Sequence, residues 1–455
     1  MAEMTALDTP HPDSLSVIKK RLTLRTTSAL TRTVLELISA GELPPGTQLP
    51  TIRDLSAAVG MSRSAVGQAW RALAARGLIE SRRRGGTFVL GKAAPPHAKR
   101  YESMIRSSMD MPRDLANLRG DSLPAPHLGP AFEHALSQPS LNRPFAQPID
   151  DELAAAVQPT WPFPTTQFLA THGLVDCLEM TLSAIVSPGD KVVVDSPTMG
   201  RVLDILDAIG ATPLPVRIGP DGPDLDELRR AMISKPAAFV YQPVGNVPRG
   251  RSVTAEWAAG AAEIVAGTVP VIEMSQVSHM YDVQHSIGAH LPAQVIHARS
   301  YNFFFGTDMR QAVVGGDPEL INTLWMRLTY SSRFVSRILQ SALAYLLTAE
   351  PAIGRMQRFV AEAWRRHTLL SQSLARHGFT LDSVAGPSLW VPVPDEHSAC
   401  ARLSKDGIVV HPGQFFQAEL DRHPHVHVNA AAVADDHDDV AATIARACRR
   451  HPMRS

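Results

Sequence analysis

The sequence predicts two domains of different class. A small helical domain closed by a β-hairpin comes first, followed by a large α/β domain whose mostly parallel sheet carries helices on both faces. Three observations carry this. Apolar residues at helical spacing fill residues 28–75 and are followed by two short strand-like runs. From about residue 150, short apolar, β-branched runs alternate with helical segments, the pattern of a parallel sheet. The chain has 455 residues, more than one domain usually holds, and its charge is unevenly placed. Thirteen Lys and Arg stand against four Asp and Glu between Lys19 and Lys92, a balance of +9 in a chain of zero net charge.

In the first block, Leu30, Val34, Leu37 and Ile38 predict a helix that Gly41 closes. Pro44, Pro45 and Gly46 form a rigid turn. Ile52, Leu55 and Val59 line a second helix, Gly60-Met61-Ser62 turns the chain, and Ser62 is a good N-cap. A third helix buries Val66, Ala69, Trp70 and Leu73. Two helices joined by a short glycine-bearing turn make a helix-turn-helix. Its third helix presents Ser62, Arg63, Ser64 and Gln68 at the exposed start, where such helices meet base edges and phosphates. Leu78–Ser81 and Thr87–Leu90 are expected to pair as a hairpin, with Arg82, Arg83, Arg84, Gly85 and Gly86 at its tip, a basic wing suited to lie along phosphates. The other reading of the charge is a solvated basic surface; turn, cap, periodicity and wing all favour the first.

The expected boundaries are 15–92 for this domain, 93–115 for a linker rich in proline, small residues and charge, and 116–455 for the second domain. Strands are expected at Lys191–Asp195, Ala237–Tyr241, Val269–Glu273, Val295–Ala298 and Ala312–Val314, with helices at Val202–Ile209, Leu225–Met232 and Ala255–Val265. A long helical run, Ser332–Gly378, opens the final third. Short strands at Ser388–Pro392, Gly407–Val410 and Val426–Val428 and a helix at Asp439–Arg449 complete a smaller α+β subdomain.

Composition excludes several classes. No apolar run of about 18 residues predicts a membrane span. The N-terminus lacks the basic start and apolar run of a signal peptide. Cys177, Cys400 and Cys448 are widely spaced and odd in number, giving neither a metal spacing nor a disulfide framework, so the cytoplasm is the expected compartment. Lysine is scarce: there are seven, and none between Lys235 and Lys405.

The first block resembles the winged helix-turn-helix of the GntR family of bacterial repressors. The resemblance rests on G-x-L-x-P-G-x-x-L-P-x-x-R-x-L at Gly41–Leu55, S-R-x-x-V at Ser62–Val66 and G-T-F-V at Gly86–Val89. It implies that Arg53, Ser62, Arg63, Ser64 and the wing from Arg82 to Thr87 contact double-stranded DNA. Gly67 departs from the family, which often has a longer polar residue there.

The second block resembles fold-type I aminotransferases, which use pyridoxal phosphate. The matching pieces are T-H-G-L at Thr171–Leu174, P-G-D-K-V at Pro188–Val192, D-S-P-T at Asp195–Thr198, N-V-P-R-G at Asn246–Gly250, V-I-E at Val271–Glu273, the Ser300–Arg310 segment and H-P-G-Q-F-F at His411–Phe416. Joined to a winged helix, it resembles the MocR subgroup of GntR regulators. The chemical positions depart from the family. Its Schiff-base lysine sits in S-x-S-K, seven residues before an arginine; here Phe303 holds that place, seven before Arg310. The carboxylate and tyrosine of E-D-D-Y are replaced in Glu273-Met274-Ser275-Gln276, the arginine of L-R-L in Val426-His427-Val428, and the stacking tyrosine of P-T-Y by Met199.

From the resemblance we expect a DNA-binding transcriptional regulator, homodimeric, whose aminotransferase-like domain senses an unknown small-molecule effector or only pairs the subunits, without Schiff-base chemistry and with no membrane association. No cofactor is expected, pyridoxal phosphate entering only as a non-covalent ligand. The competing reading is an aminotransferase with an accessory DNA-binding domain, which the missing lysine opposes. Gly173, Ser300 and Arg310 form either a residual anion site or ordinary structural contacts. Phe303, Phe304 and Phe305 either fill the vacated cofactor cavity or stack on a ligand, and packing favours filling. His279, His285, His290 and His297, and His423, His425 and His427, form two sequence groups; chance grouping among eighteen histidines is favoured over a metal site.

Overall fold

The structure, a computed structural model, describes residues 14–448 apart from 76, 83–85, 91–97, 109–111, 119–122, 125, 140, 142–146, 166, 382–385 and 420–422. It divides into two compact units, one built chiefly from residues 14–90 and one chiefly from residue 98 onward.

The smaller unit runs α1 (Ser14–Arg21), α2 (Thr27–Ser39), β1 (Gln48–Leu49), α3 (Ile52–Val59), α4 (Arg63–Ala75), β2 (Ile79–Arg82) and β3 (Gly86–Val89). Three hydroxyls start its helices: Thr26 Oγ1 accepts from Ala29 N at 3.2 Å, Thr51 Oγ1 from Asp54 N at 3.1 Å, and Ser62 Oγ from Ala65 N at 3.1 Å. Gly60, with φ of 67°, ends α3 in the left-handed conformation. Leu30, Val34, Leu37, Leu55, Val66, Trp70 and Leu73 close one core, joined by Ile18 of α1. β1 and β2 pair antiparallel on either side of β3.

Three features differ from expectation. The eight-residue α1 carries three basic residues in its last turn and is too short to show an apolar period. The two-residue β1 is shorter than any strand pattern. The hairpin begins one residue later and returns one earlier, so Arg82 and Gly86, expected at the tip, are instead paired with each other in the ladder. That register sets Ile79 opposite Val89, and both are buried.

The larger unit begins with α5 (Lys99–Ser108) and β4 (Arg113–Asp114), so ordered elements occupy the second half of the stretch expected to be a linker. α6 (Leu128–Leu136), α7 (Asp151–Val157), β5 (Phe168–Thr171), α8 (Leu174–Ile185), β6 (Lys191–Ser196), α9 (Gly200–Ile209), β7 (Thr212–Arg217), α10 (Leu225–Met232), β8 (Ala238–Tyr241), α11 (Ala255–Val265), β9 (Val271–Ser275), β10 (Val295–Ser300), α12 (Asn302–Phe305), β11 (Ala312–Gly316) and α13 (Pro318–Leu328) follow. Their strands form one seven-stranded sheet in the order β5-β11-β10-β9-β8-β6-β7. All neighbours are parallel except those of β11, which runs antiparallel to β10 and β5.

β7 reads T-P-L-P-V-R, and its prolines hid it from the sequence pattern. It is an edge strand, and Ile218 N just beyond it donates to Ser196 O of β6. Even-numbered amides therefore face β6, while Pro213 and Pro215 turn their nitrogens outward, where a missing N–H breaks no ladder bond.

The helical run of the final third is two helices, α14 (Arg337–Thr348) and α15 (Glu350–Arg376), separated at Ala349 just before Pro351. β12 (Ser388–Pro392), α16 (Glu396–Lys405), β13 (Ile408–Val409), β14 (His411–Pro412), β15 (His425–Asn429) and α17 (His437–Cys448) complete the chain. β12, β15 and β14 form an antiparallel sheet, while β13 pairs parallel with β4. Leu389, Val391, Val426 and Val428 of this sheet share a core with Leu370 and Leu374 of α15, Leu403 of α16 and Ile444 of α17. Of the stretch expected as one strand, Gly407–Val410, only Ile408–Val409 is strand, and the separate β14 that follows it serves a different sheet.

Candidate nucleic-acid interface and sheet-end site

In the smaller unit, the capped start of α4 brings Ser62, Arg63 and Ser64 together as exposed side chains, with Gln68 exposed one turn further on. Arg53 is exposed in the first turn of α3. Val66, Ala69, Trp70 and Leu73 anchor the opposite face of α4. One face of this helix is thus fixed by packing and the other is left polar, cationic and open, as a groove-reading helix requires. Gly67 lies on the α3 side: a Cβ placed there would meet only Ile52 Cδ1, at 3.7 Å. On the wing, Gly86 is exposed and Thr87 Oγ1 lies 3.0 Å from Ser81 Oγ across the strands. Arg82 ends β2, while Arg83, Arg84 and Gly85 lie outside the described residues.

The sequence missed Arg25, an exposed residue between α1 and α2 whose guanidinium rests against the α3–α4 turn. Thr27 Oγ1 also donates to Ala65 O at 3.5 Å, tying the start of α2 to the first turn of α4. No local motif announces either contact, since both join segments more than 30 residues apart.

In the larger unit, ligands of a parallel sheet of this kind bind beyond the carboxyl ends of the strands. There Gly173, with φ of 112°, precedes α8 without a side-chain cap. A Cβ at Gly173 would stand 3.4 Å from Arg310 Cγ and 3.8 Å from Asn302 Nδ2. Gly173 and Arg310 are therefore neighbours across the sheet end, and Asn302 also stands beside Gly173. Arg310 is exposed; Ser300 is buried as the last residue of β10, opposite Ala312. Uncapped helix amides beside a guanidinium make a cradle chemically suited to an anion.

Next to this cradle the surroundings turn apolar. Phe303 lies in α12, edge-on to Phe304 and Phe359, each 5.3 Å away between ring centres. All three rings are buried. Further along the sheet end, Gln276 Nε2 lies 3.1 Å from Met199 Sδ. Asp195, ending the buried part of β6, accepts from Gln242 N at 3.1 Å and from Asn246 Nδ2 at 2.7 Å. Complete burial pushes its carboxyl up to about 7. The Ser275 hydroxyl is buried with no hydrogen-bond partner among the described residues.

Two buried polar networks escaped the sequence reading, which named Glu273 only within its motifs and did not name Arg299. Glu273, fully buried, accepts from Tyr241 Oη at 2.5 Å, Ser286 Oγ at 2.7 Å and Ile287 N at 2.9 Å, and lies 2.9 Å from His297 Nδ1. Burial holds His297 below the usual imidazole range, so neutral His297 donates to the carboxylate. Arg299, also fully buried, donates to Thr160 Oγ1 at 2.8 Å and Thr160 O at 2.6 Å and lies over the Trp161 ring at 4.8 Å. Burial lowers its pKa as well. The only signal for either was a charged residue inside an apolar strand.

The histidine groups scatter. His297 joins the Glu273 network. His427 lies 3.1 Å from Ala116 O and 3.0 Å from Ser388 Oγ, and His425 stacks on Trp390 at 5.0 Å. Burial brings His427 down to about 3. Among the described residues no three His, Cys, Asp or Glu side chains are grouped as metal ligands would be. No described helix is long and apolar enough to cross a membrane.

Comparison with known proteins agrees with both units. Residues 26–89 match the family model described as bacterial regulatory proteins of the gntR family. The vitamin B6 salvage pathway transcriptional repressor PtsJ of Salmonella typhimurium LT2 is 25% identical over 418 residues, covering 88% of this chain and 93% of the relative. YdcR of Escherichia coli K12, named an uncharacterized HTH-type transcriptional regulator, is 25% identical over 431 residues, 84% of this chain and 90% of that one. Among solved structures, aspartate aminotransferase of Thermus thermophilus with maleate superposes with a TM-score of 0.66 at 24% identity, over 77% of this chain and 94% of the enzyme. That likeness establishes the fold of the larger unit. The chain thus joins a GntR-type helix-turn-helix domain to an aminotransferase-like fold, a MocR-like arrangement, and its full-length relatives are named transcriptional regulators.

Proposed function

We propose that Arg53, Ser62, Arg63, Ser64 and Gln68 read the major groove of double-stranded DNA, while the wing from Arg82 through Arg83, Arg84, Gly85 and Gly86 to Thr87 follows the flanking phosphates. The observation that carries this reading is the start of α4: a hydroxyl-capped helix end whose exposed face is basic and polar and whose other face is locked into the core. Two copies of the chain, paired through the aminotransferase-like domain, would place two such helices on two half-sites. A ligand that binds one arrangement better than the other then shifts DNA affinity. In this design the DNA-binding domain spans 15–92 and the second domain takes in the ordered elements from Lys99 onward, so the linker is shorter than 93–115; its compartment is the cytoplasm.

The second domain works in this proposal without Schiff-base chemistry. The phosphate end of pyridoxal phosphate finds suitable partners in Arg310 and the uncapped start of α8 beside Gly173, with Ser300 at the neighbouring strand end. Its ring and aldehyde ends do not. Phe303 occupies the short helix in which the family keeps its lysine, and Gln276 and Met199 approach to 3.1 Å. No covalent step is assigned, and Gly173, Ser300 and Arg310 are left as an anion site. Because one relative is named for vitamin B6 salvage, B6 vitamers are the first ligands to test on this chain.

The test is fluorescence anisotropy of the full chain with a duplex from the DNA flanking its own gene. Arg53→Ala with Arg63→Ala is expected to weaken binding at least tenfold and flatten its salt dependence. Unchanged binding and salt dependence would remove this DNA face. In parallel, borohydride reduction with pyridoxal phosphate, mapped by peptide mass, is expected to give only partial labelling spread over exposed amines such as Lys191 and Lys235, and a stoichiometric adduct on a single lysine would restore the covalent reading.

A further inference from the structure

We infer that Arg25 is a phosphate-contacting residue of the DNA interface, placed beside the recognition helix from outside the helix-turn-helix itself. The inference rests on the DNA-reading face proposed above and extends it to the loop between α1 and α2. Arg25 is exposed, and its guanidinium lies over the turn joining α3 to α4: a Cβ on Gly60 would stand 3.2 Å from Arg25 Nη1 and 3.5 Å from Cζ. Gly60 is two residues before Ser62, the cap of α4. The next two residues fix the loop from its other side. Thr26 caps α2 through Ala29 N, and Thr27 Oγ1 donates to Ala65 O in the first turn of α4. Arg25 is thereby held by the two residues that follow it and by its own packing at Gly60, two residues before Ser62.

No partner among the described residues accounts for the charge it carries there. Among the described residues Arg25 makes no hydrogen bond and no ion pair, whereas Arg21, four residues earlier, pairs with Glu42 at 2.6 Å. An arginine held at a helix start with its five N–H donors unspent suits an anion that arrives from outside, and a DNA phosphate accepts a guanidinium in that way. The glycine at position 60 serves the same arrangement twice. It ends α3 in the left-handed conformation, and its lack of a side chain leaves room for the guanidinium.

A phosphate contact weakens binding to all sequences alike, and this separates it from base reading. The experiment measures affinity of the full chain for two duplexes of equal length, one from DNA flanking its own gene and one unrelated, across a series of salt concentrations. Arg25→Gln is expected to weaken both about tenfold near 0.15 M salt and to lower the slope of log K against log salt by about 1 per subunit. Arg25→Lys, which keeps the charge, is expected to recover most of the slope. Melting temperatures of both variants should stay within about 1 °C of wild type, as for an exposed side chain without partners. An unchanged slope for Arg25→Gln overturns the inference, whether affinity is retained or falls together with the melting temperature. Arg63→Ala measured alongside separates the two levels. If Arg63→Ala weakens binding and Arg25→Gln leaves the slope intact, only the Arg25 assignment fails; if neither matters, the DNA face itself fails.

Discussion

Replacing Phe303 tests whether the position of the family's lysine has become part of the core. Its ring is buried and meets Phe304 and Phe359 edge-on, with centres 5.3 Å from each. Truncation to Ala removes a phenyl group whose neighbours are themselves rings held by α12 and α15, so the space can collapse only in part. Phe→Ala at such sites costs about 3–5 kcal/mol. At about 2 °C per kcal/mol for a large domain, the melting transition of the larger unit should fall by about 6–10 °C. Scanning calorimetry of the full chain reads this directly, since the smaller unit's transition serves as an internal control. Phe303→Lys should be at least as damaging, because it sets an ammonium among aromatic rings without a partner. A drop under about 2 °C for Phe303→Ala would refute the reasoning. So would a Phe303→Lys protein that stays stable and forms a borohydride-reducible adduct with pyridoxal phosphate mapped to residue 303 itself, because the site would then be an intact cofactor pocket lacking only its amine.

Further outcomes follow from the same structure. Gly67→Ala should stabilise the smaller unit by about 1 kcal/mol, since the new Cβ meets only Ile52 Cδ1 at 3.7 Å and helix propensity rises; a lower melting temperature would contradict the packing. Glu273→Ala should cost more than about 4 kcal/mol by stranding Ile287 N, Ser286 and His297 in the interior, checked by urea titration of the larger unit, and a loss near 1 kcal/mol would show that water replaces the carboxylate. Asp195 has a carboxyl raised by burial to about 7, so its contribution is fully present below the unfolded value near 4 and is lost as pH rises through about 7. Wild type should therefore lose stability relative to Asp195→Asn between pH 5 and pH 8, and a difference that does not change with pH would count against a protonated Asp195. Ser62→Ala should cost about 1 kcal/mol in the smaller unit through the lost cap, and hydrogen exchange in the first turn of α4 reads it.

Legibility in the sequence tracked how local each interaction is. α3, α4 and their caps were readable because a cap, a turn glycine and an apolar period all fall within a dozen residues. The β-branched runs of β6, β8 and β10 were equally plain. What escaped depends on partners far along the chain. β7 was hidden because prolines argue against a strand until its place at the sheet edge is known. The end of the expected linker becomes β4 only by pairing with β13, almost 300 residues later. In the candidate site, the sequence singled out Gly173 and Arg310, which the fold sets side by side, but nothing in it pointed to Asn302 as a further neighbour of Gly173. Glu273 was legible only as part of a motif and Arg299 not at all; their roles lie in Ser286, Thr160 and Trp161, which only the folded chain brings near. Arg25 was invisible for the same reason, as its contact at Gly60 spans 35 residues.

The proline-bearing edge of the large sheet bears on how the protein avoids aggregation. An open strand edge is a template onto which another chain can add by hydrogen bonding. Of the outward-facing positions of β7, Pro213 and Pro215 have no N–H, and Arg217 N is already taken by Glu227 Oε2 at 2.8 Å. The edge therefore offers an incoming strand carbonyls but no free amide along its length. A parallel sheet forms late in folding and would otherwise expose this strand while the chain is still assembling. Two prolines and one glutamate keep that route to edge-to-edge polymerisation shut, in the folded protein and on the way to it.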